Sequence, residues 1–207
     1  MNLQEYLSDP CGMLSIPYWK SKELQVPPFI RIVHEQDYDA AAFADYTDEP
    51  YFRLKHDLQS IPLTDKRFVC RIAGRDDLPL MVEIINRCYT DLFVTLEQLQ
   101  GYRTTPAFAV DLWIIVQDAA TGEDIGCGIA DFDPEAREGI LEWIQVLPEY
   151  RGRGAGQFIV NELLRRMQDR VDFATVSGKV NNVTCPEKLY RRCGFVGDDV
   201  WHILVKK

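Results

Sequence analysis

The chain has 207 residues and lacks the long apolar runs and targeting signals that would place it in a membrane or outside the cell. No apolar run approaches the roughly 18 residues that a membrane-spanning helix needs. The N-terminus, MNLQEYLSDP, has neither the basic region nor the apolar region of a secretory signal peptide. We therefore expect a cytoplasmic protein that has no membrane partner.

Cysteine and histidine are also scarce, and both are scattered along the chain. The six cysteines include no C-x-x-C pair, and the three histidines (His34, His56 and His202) lie far apart in the sequence. Without a secretory signal, this spacing predicts buried or free thiols rather than disulfides. It also argues against a zinc site, so we expect no metal.

Basic residues are fewer than acidic ones: the chain has 23 Lys/Arg and 32 Asp/Glu, and its net charge is −9. A nucleic-acid partner is therefore not expected, since such partners need a basic surface. The balance is uneven: residues 148–195 carry nine Lys/Arg and five Asp/Glu, whereas residues 1–147 carry 12 and 25. A local basic region on an acidic chain suits a small polyanion better than a duplex.

From residue 67 onward the hydrophobic pattern predicts alternating strands and helices. Strands are predicted in RFVCRIA, GILEWIQVLP, DFATVSGKV and VWHILVKK, with a hairpin in DLWIIVQDAATGEDIGCGIADFD. Helices are predicted in RDDLPLMVEIINRCY, TLEQLQGY and TCPEKLYRRCG, and also in the stretch around Ile159–Met167. Thr184 and Glu187 have the spacing of a capping box. The order β-α-α-β-β-β-α-β-α-β indicates an α/β sheet with hairpin and crossover connections. Before residue 67, PPFIRIVHE predicts a short strand and YFRLKHDLQSI a short helix.

Three glycines lie in VLPEYRGRGAG, between a predicted strand and a predicted helix. The free N–H groups and the dipole of a helix N-terminus favour an anion, and Arg151 and Arg153 add positive charge there. A phosphate or pyrophosphate is the expected ligand. A P-loop is excluded because no Lys-Ser/Thr follows the glycines, and a dinucleotide fingerprint is disfavoured because Gln157 replaces its third glycine.

Two motifs resemble the GCN5-related N-acetyltransferase (GNAT) superfamily. Arg151, Gly154 and Gly156 match its R/Q-x-x-G-x-G/A turn, and LYRRCGF, residues 189–195, is similar to its L-Y-x-x-x-G-F segment. The resemblance covers about residues 67–207, which we take as the N-acetyltransferase domain, with residues 1–66 as an N-terminal extension. It implies a mixed, mostly antiparallel central sheet flanked by helices (an α/β, or α+β, fold) and acetyl-CoA as co-substrate.

The resemblance also implies which residues contact the cofactor. Backbone amides near the end of the strand would pair with pantetheine, and the glycine turn would hold the pyrophosphate. Many members have an Asn seven residues before the tyrosine, where this chain has Val183, so either Asn181 or Asn182 could make that contact. The candidate cofactor-binding residues are Ile144, Gln145, Val146, Arg151, Gly152, Arg153, Gly154, Ala155, Gly156 and Asn182.

Two side chains are candidates for catalysis. The resemblance implies that Tyr190 is the general acid that protonates the leaving thiolate. Glu142 is the candidate base, because it shares strand parity with the apolar residues Ile140, Ile144 and Val146. A carboxylate on an apolar face is costly unless it is used or paired, and burial would raise its pKa toward a base's working range.

The sequence therefore predicts an N-acetyltransferase that moves an acetyl group from acetyl-CoA to an amine by direct attack in a ternary complex. The acidic balance of residues 1–147 favours a cationic acceptor, either a small molecule or a peptide. Hydroxyl and protein N-terminal acceptors stay open. Two alternatives also stay open: a non-catalytic acyl-CoA-binding or regulatory module of the same fold, and a transferase for another acyl group. The strand VWHILVKK could pair across a homodimer.

Overall fold

The fold is a single sheet covered by helices, described here from a computed structural model over residues 1–62, 65–90 and 92–207. The helices are α1 (Leu3–Ser8), α2 (Tyr18–Ser21), α3 (Leu78–Cys88), α4 (Leu96–Tyr102), α5 (Ala155–Met167) and α6 (Pro186–Arg192). The strands are β1 (Ile30–His34), β2 (Tyr46–His56), β3 (Phe68–Ile72), β4 (Trp113–Asp118), β5 (Asp124–Asp133), β6 (Glu138–Val146), β7 (Phe173–Lys179) and β8 (Val196–Lys206). Short 3₁₀ turns follow β1 and precede β4 and α5.

The eight strands lie in the order β1-β8-β2-β7-β6-β5-β4-β3. Every neighbouring pair is antiparallel except β6 and β7, which are parallel. The right-handed crossover rule needs a long connection for a parallel pair, and α5 supplies it. The predicted mixed, mostly antiparallel sheet flanked by helices is confirmed, as is the predicted order of elements from β3 onward.

The two faces of the sheet are covered by different helices. One face packs against α5, whose apolar stripe includes Ile159, Leu163 and Met167 and is completely buried. The helix approaches so closely that a Cβ on Gly128 would lie 2.6 Å from Ile159 Cγ2. The other face packs against α3 and α4 around the buried Trp113. The core thus lies on both sides of the sheet, as in three-layer α/β folds.

The first 66 residues contribute two strands to the same sheet. β1 pairs with β8, and β2 lies between β8 and β7. The helix predicted in YFRLKHDLQSI is wrong, because residues 46–56 form β2. Phe52 and Leu54 pack on the α5 face while Arg53 faces the other way, which is strand alternation, and pairing on both sides overrides the local pattern. The division of the chain at residues 66/67 stays a prediction.

Helix α1 is held to the sheet by a buried polar network. The Tyr6 hydroxyl donates a hydrogen bond to Glu138 Oε2 at 2.7 Å, and Arg53 Nη2 donates to the Tyr6 hydroxyl at 3.0 Å. Arg53 and Glu138 also form an ion pair at 3.3 Å, and both side chains are almost fully buried. Because buried charges need partners, this network fixes how the N-terminal segment lies on the α3/α4 face.

Two local expectations are corrected. The capping box predicted for Thr184 and Glu187 is absent. Helix α6 begins after Cys185, which has a φ of 48° and makes no side-chain cap, and Glu187 pairs with Arg191 instead.

The strand predicted in VWHILVKK is present but lies between β1 and β2. Both of its edges are therefore paired within the chain, and it is not available to pair across a homodimer. A homodimer through another surface stays a prediction. In the part of the chain that the structure describes, no helix has the length and apolar character needed to cross a membrane.

Candidate active site

The glycine turn between β6 and α5 adopts the backbone conformation that glycine alone takes without strain. Gly152 has a φ of 76° and Gly154 a φ of 98°, both in the left-handed region. Gly154 is the N-cap of α5 and offers no side chain to cap the helix, so the first amides of α5 lack an acceptor from this residue. Nothing lies within 4 Å of the position that a Gly152 Cβ would take. The turn therefore presents open backbone that fits a pyrophosphate.

The two arginines of the turn brace its backbone. Arg151 donates from Nε to the Val146 carbonyl at 3.0 Å and from Nη2 to the Cys88 carbonyl at 3.3 Å. Arg153 donates to the Glu149 carbonyl at 3.0 Å. Both residues are exposed, so their charge still contributes to the potential around the turn.

The other residues of the turn join it to the helices. Ala155 is buried at the start of α5. A Cβ on Gly156 would lie 3.1 Å from Leu189 Cδ2, so this glycine lets α5 pack closely on α6. The turn thus has two kinds of glycine, since Gly152 and Gly154 shape the backbone whereas Gly156 serves helix packing.

A gap opens between the parallel strands β6 and β7 beside this turn. The two strands pair from Glu138 only as far as Leu141, after which β7 continues against β2. Ile144, Gln145 and Val146 pair with β5 on one side, and their other edge faces the gap. Backbone groups at such an edge are ready to pair with an extended ligand, as the sequence analysis expects for pantetheine.

A β-bulge places Glu142 at the start of the gap. Ile129 of β5 pairs with Trp143 and Ala130 pairs with Leu141, so Glu142 is the extra residue on β6. The predicted strand parity is therefore wrong for part of β6. Ile144 and Val146 pack toward the α5 core, whereas Glu142 lines a cavity on the opposite face. Bulges re-aim side chains in this way, and they are frequent beside active sites.

The cavity beside the bulge has a volume of about 400 Å³ and lies between the sheet and the N-terminal segment. Its walls combine acidic and aromatic side chains with one lysine, which is the composition that suits an organic cation. The lining residues are Ile16, Trp19, Lys20, Glu23, Leu24, Tyr102, Thr105, Ile129, Asp131, Glu142 and Trp143.

Glu142 is paired within this cavity. Its Oε1 lies 2.5 Å from Lys20 Nζ, and the two side chains are 21% and 33% exposed respectively. The carboxylate is thus partly open to solvent and already holds a primary ammonium. The role of base assigned to Glu142 stays a prediction.

Asp131 is a second carboxylate of the cavity, and the sequence analysis missed it. Burial raises its pKa above the usual range of an aspartate, the negative charge of Glu142 raises it further, and Lys20 lowers it in part. The sequence held the same signal as for Glu142, namely a carboxylate on an apolar face. Asp131 lies two and four residues after the apolar Ile129 and Cys127, so the three side chains share one face of the strand. Two carboxylates that face one cavity favour a bound cation or a shared proton.

Tyr190 lies on the opposite face of the sheet, buried between α6 and the α5 core. Its ring packs against Phe52 and Phe195, with centroid distances of 6.2 and 5.9 Å. Burial raises the pKa of its hydroxyl, and the neighbouring Tyr89 contributes to the same effect, so the phenol is protonated at neutral pH. Tyr89 itself accepts a hydrogen bond from Gln145 Nε2 at 2.9 Å, at the end of β6.

Asn182 lies in the turn between β7 and α6. Its Oδ1 accepts hydrogen bonds from the Thr184 amide at 2.9 Å and from the Thr184 hydroxyl at 2.7 Å. The side chain is thus occupied in shaping the turn, and its contact with the cofactor stays a prediction.

The structure brings most of the candidate residues to the two sides of one gap. The glycine turn and Tyr190 approach it from the α5 face, and Glu142 approaches it from the α3/α4 face. Among residues 1–62, 65–90 and 92–207, no cluster of three or more His, Cys, Asp or Glu side chains could hold a metal ion. The arrangement therefore offers an anion cradle, a channel between strands and a carboxylate-lined cavity.

Comparison with known proteins agrees with this arrangement. Residues 109–197 match the family model of the acetyltransferase (GNAT) domain. This range includes the bulge, the glycine turn and Tyr190. Among curated proteins, none matches the chain in sequence.

Several solved structures share the fold at low sequence identity. A GCN5-related N-acetyltransferase from Sphaerobacter thermophilus has a TM-score of 0.67 at 16% identity, with 89% of this chain and 62% of that chain covered. A glucosamine N-acetyltransferase region of a fungal multi-domain β-N-acetylglucosaminidase gives 0.64 at 18% identity, with 87% and 24% covered. The Escherichia coli ribosomal-protein-S18-alanine N-acetyltransferase gives 0.54 at 16% identity, with 67% and 92% covered.

The chain spans 62% of the length of the Sphaerobacter protein and 24% of the fungal one, so these relatives carry parts that this chain does not match. The sheet and its helices have the GNAT fold.

Proposed function

Because the chain carries a GNAT acetyltransferase domain, we propose that it transfers an acetyl group from acetyl-CoA to a cationic amine bound in the cavity beside the bulge. One observation carries the proposal: the carboxylates of Asp131 and Glu142 line a cavity that opens beside the end of the β6–β7 pairing. An anion cradle on one side of the gap and a cation site on the other suit a polyanionic donor and an ammonium acceptor.

The donor would lie along the gap. The amides around Gly152 and Gly154 would hold its pyrophosphate. The edge of Ile144 to Val146, where Arg151 already bonds the Val146 carbonyl, would pair with its pantetheine arm. The space beside Gly152 is already open, the exposed Arg67 side chain lies beside Gly154, and the pairing of β6 with β7 already ends at Leu141. Pre-organised backbone of this kind lowers the entropic cost of binding.

The acceptor would bind as an ammonium and react as an amine. Glu142 would take its proton, since a carboxylate within hydrogen-bond reach of an amine can act as general base. The neutral amine would then attack the thioester carbonyl directly: a C–N bond forms, the C–S bond breaks, and Tyr190 gives its phenolic proton to the departing thiolate. The attacking nitrogen then loses its second proton, which restores the phenol of Tyr190. The phenol of Tyr190 is protonated at neutral pH, so a proton is present there, although burial makes it a weaker acid than a free tyrosine.

Two proteins that share the fold act on amines, which is consistent with an amine acceptor. One acts on glucosamine and the other on the alanine of a ribosomal protein. They differ so much in size that fold alone does not choose between a sugar amine and a peptide. The aromatic walls of the cavity, Trp19, Tyr102 and Trp143, favour a compact organic cation.

The first test is to measure thiol release from acetyl-CoA across simple amines, polyamines, amino sugars and peptides. Release is expected to depend on the amine and to fall in Tyr190→Phe. Glu142→Gln is expected to lower kcat/KM by on the order of a hundredfold at neutral pH. The loss should shrink at high pH, where solvent deprotonates the amine. Glu83→Gln is the matched control, because Glu83 is 64% exposed on α3 and does not line the cavity.

Three results would contradict parts of the proposal. An unchanged pH–rate profile in Glu142→Gln would remove this residue from proton transfer. Tight binding of acetyl-CoA by calorimetry, with no release for any amine, would favour a binding or regulatory module. Release only with a longer acyl-CoA would identify a transferase for another acyl group.

A further inference from the structure

Lys20 places a primary amine of the chain itself inside the cavity proposed for the acceptor. Its Nζ lies 2.5 Å from Glu142 Oε1, and its side chain lines the same cavity as Asp131. An unbranched alkyl chain ending in an amine is chemically an acceptor of the class proposed above. The internal amine thus occupies the position that the external one would need.

Packing fixes Lys20 in this position. α2 is a single turn in which Tyr18 is buried, and the Tyr18 ring lies 5.4 Å from the ring of Tyr6. Tyr6 is in turn bonded to Glu138 and Arg53 in the buried network under α1. The segment that carries Lys20 is therefore anchored to the sheet, and the amine is not the loose end of a mobile tail.

The ion pair has little structural reason of its own. Lys20 and Glu142 are both partly exposed, so solvent reaches the two side chains and screens part of the attraction between them. It also lies in the mouth of a cavity rather than in a core. A reactive role explains the placement of the pair better than a structural one does.

We propose that the chain acetylates its own Lys20. This inference rests on the proposed function, because the same site supplies the donor. Glu142 takes a proton from the Lys20 ammonium, and the neutral Nζ attacks the thioester carbonyl. A C–N bond forms and the C–S bond breaks. The nitrogen loses its second proton, the departing thiolate gains one, and coenzyme A leaves as the thiol. The product, Nε-acetyl-lysine, has lost the charge that held it to Glu142 and leaves a neutral side chain in the acceptor cavity.

Acetylation of Lys20 should change the affinity of the cavity for external amines. The free ammonium of Lys20 repels and competes with a cationic acceptor, whereas the acetylated side chain fills space but carries no charge. The acidic residues of the cavity, Glu23, Asp131 and Glu142, then have no internal cation beside them. The modification would therefore act as a switch on acceptor binding, set by the supply of acetyl donor.

The test is to incubate the full chain with isotope-labelled acetyl-CoA and follow labelling by intact mass and peptide mapping. Lys20 is expected to be labelled at a rate that does not depend on enzyme concentration, because the reaction is intramolecular. Lys22 is the internal control, since it lies two residues away, pairs with Glu135 outside the cavity and is more exposed, at 43%. Proximity predicts that Lys20 reacts about tenfold or more faster than Lys22.

Variants separate catalysed from spontaneous labelling. Lys20→Arg should abolish the fast label, and Glu142→Gln should slow labelling of Lys20 but not of Lys22. Lys22→Arg should leave labelling of Lys20 as it is in the wild type. Matching thermal unfolding curves for the variants would show that the fold is kept.

Each result decides the inference. Fast labelling of Lys20 supports it, even where no external amine in the panel reacts. Turnover of an external amine with Lys20 unlabelled overturns it and leaves the proposed function intact. Equal labelling of Lys20 and Lys22, unchanged in Glu142→Gln, reports spontaneous chemistry that follows exposure, and it also overturns the inference. Absence of both labelling and turnover overturns the two proposals together.

Discussion

Asp131 and Glu142 illustrate how two like side chains in one cavity acquire different properties. Glu142 is partly exposed and paired with Lys20, whereas Asp131 is 6% exposed and makes no ion pair with any described residue. Burial and the nearby charge of Glu142 raise the pKa of Asp131. A bound cation would relieve this repulsion, so binding of an ammonium and ionisation of Asp131 should favour each other.

Asp131→Asn is therefore expected to weaken the binding of a cationic acceptor. The change keeps the shape of the side chain but removes a charge that would hold the ammonium. A hydrogen bond to a charged group contributes about 2 kcal/mol, so its loss should raise KM about thirtyfold. Steady-state kinetics with the best amine of the panel measures the effect near pH 9, above the pKa of about 8 to which burial raises Asp131. The difference in KM between wild type and variant should decrease as the pH falls, because Asp131 takes up a proton at a higher pH than an ordinary aspartate.

The matched control is Asp172→Asn, since Asp172 is 63% exposed and pairs with Arg137 away from the cavity. Binding of acetyl-CoA should stay unchanged in both variants. A lower kcat with an unchanged KM in Asp131→Asn would contradict the role in acceptor binding and would point to a part in the chemistry itself.

At the scale of residues, the sequence predicted local features and missed those that depend on neighbouring strands. Glu142 was found because a carboxylate among apolar strand residues is costly. Asp131 satisfies the same criterion but lies in a hairpin whose role the sequence does not indicate. Lys20 could not be found at all, because nothing local to MLSIPYWKSK shows that this segment lies over β6.

At the scale of elements, the junction of β6 and α5 combines a turn, a gap and a helix start within a few residues. The positive φ angles of Gly152 and Gly154 aim the backbone away from the sheet, and the bulge at Glu142 bends the strand before it. The turn and the bulge both lie near the point where the parallel pairing of β6 with β7 ends. The position of the site thus follows from where β6 and β7 part.

Gly154→Ala should weaken the binding of acetyl-CoA. An alanine at a φ of 98° is strained by about 1–2 kcal/mol, and the turn would shift to relieve that strain. We expect the Kd for acetyl-CoA to rise about tenfold, as measured by calorimetry. Gly101→Ala is the matched control, because Gly101 lies within α4 with nothing within 4 Å of its added Cβ. An unchanged Kd with a lowered Tm would mean that the turn serves the fold and not the ligand.

Elements that local chemistry defines were predicted well, and those that tertiary pairing defines were not. The glycine turn and α5 carry their own signals, namely left-handed glycines and an apolar stripe. β2 was mistaken for a helix because its strand state depends on β7 and β8, which lie more than a hundred residues further along the chain. The bulge was missed for the same reason, since register is a property of two strands together.

At the scale of the whole molecule, the first residues of the chain close both the sheet and the cavity. β1 lies at one end of the sheet beside β8, and α2 supplies Trp19 and Lys20 to the cavity wall. Stability and acceptor binding are therefore coupled through the N-terminal segment. The contacts that hold this segment to the C-terminal strand should influence the molecule as a unit.

His202 makes the most concentrated of these contacts. Its Nδ1 lies 2.9 Å from Asp48 Oδ1 on β2, its Nε2 lies 2.6 Å from Glu35 Oε2 after β1, and its ring stacks on Tyr38 at 3.7 Å. Burial alone would lower the pKa of His202, but the two carboxylates outweigh this effect and raise it above the ordinary value. The imidazolium thus joins β8 to β1 and β2.

His202→Gln should reduce the free energy of unfolding, and the reduction should depend on pH. Because the pKa of His202 is raised in the folded state, its stabilisation is complete below the unfolded value of about 6.5 and is lost as the pH rises through the folded value. Urea unfolding should therefore show a larger difference between wild type and variant near pH 6 than near pH 9. His56→Gln is the matched control of opposite sign, since burial lowers the pKa of His56 and its contribution is lost as the pH falls. If His202→Gln lowers the free energy of unfolding equally at both pH values, packing on Tyr38, and not charge, joins the two ends of the chain.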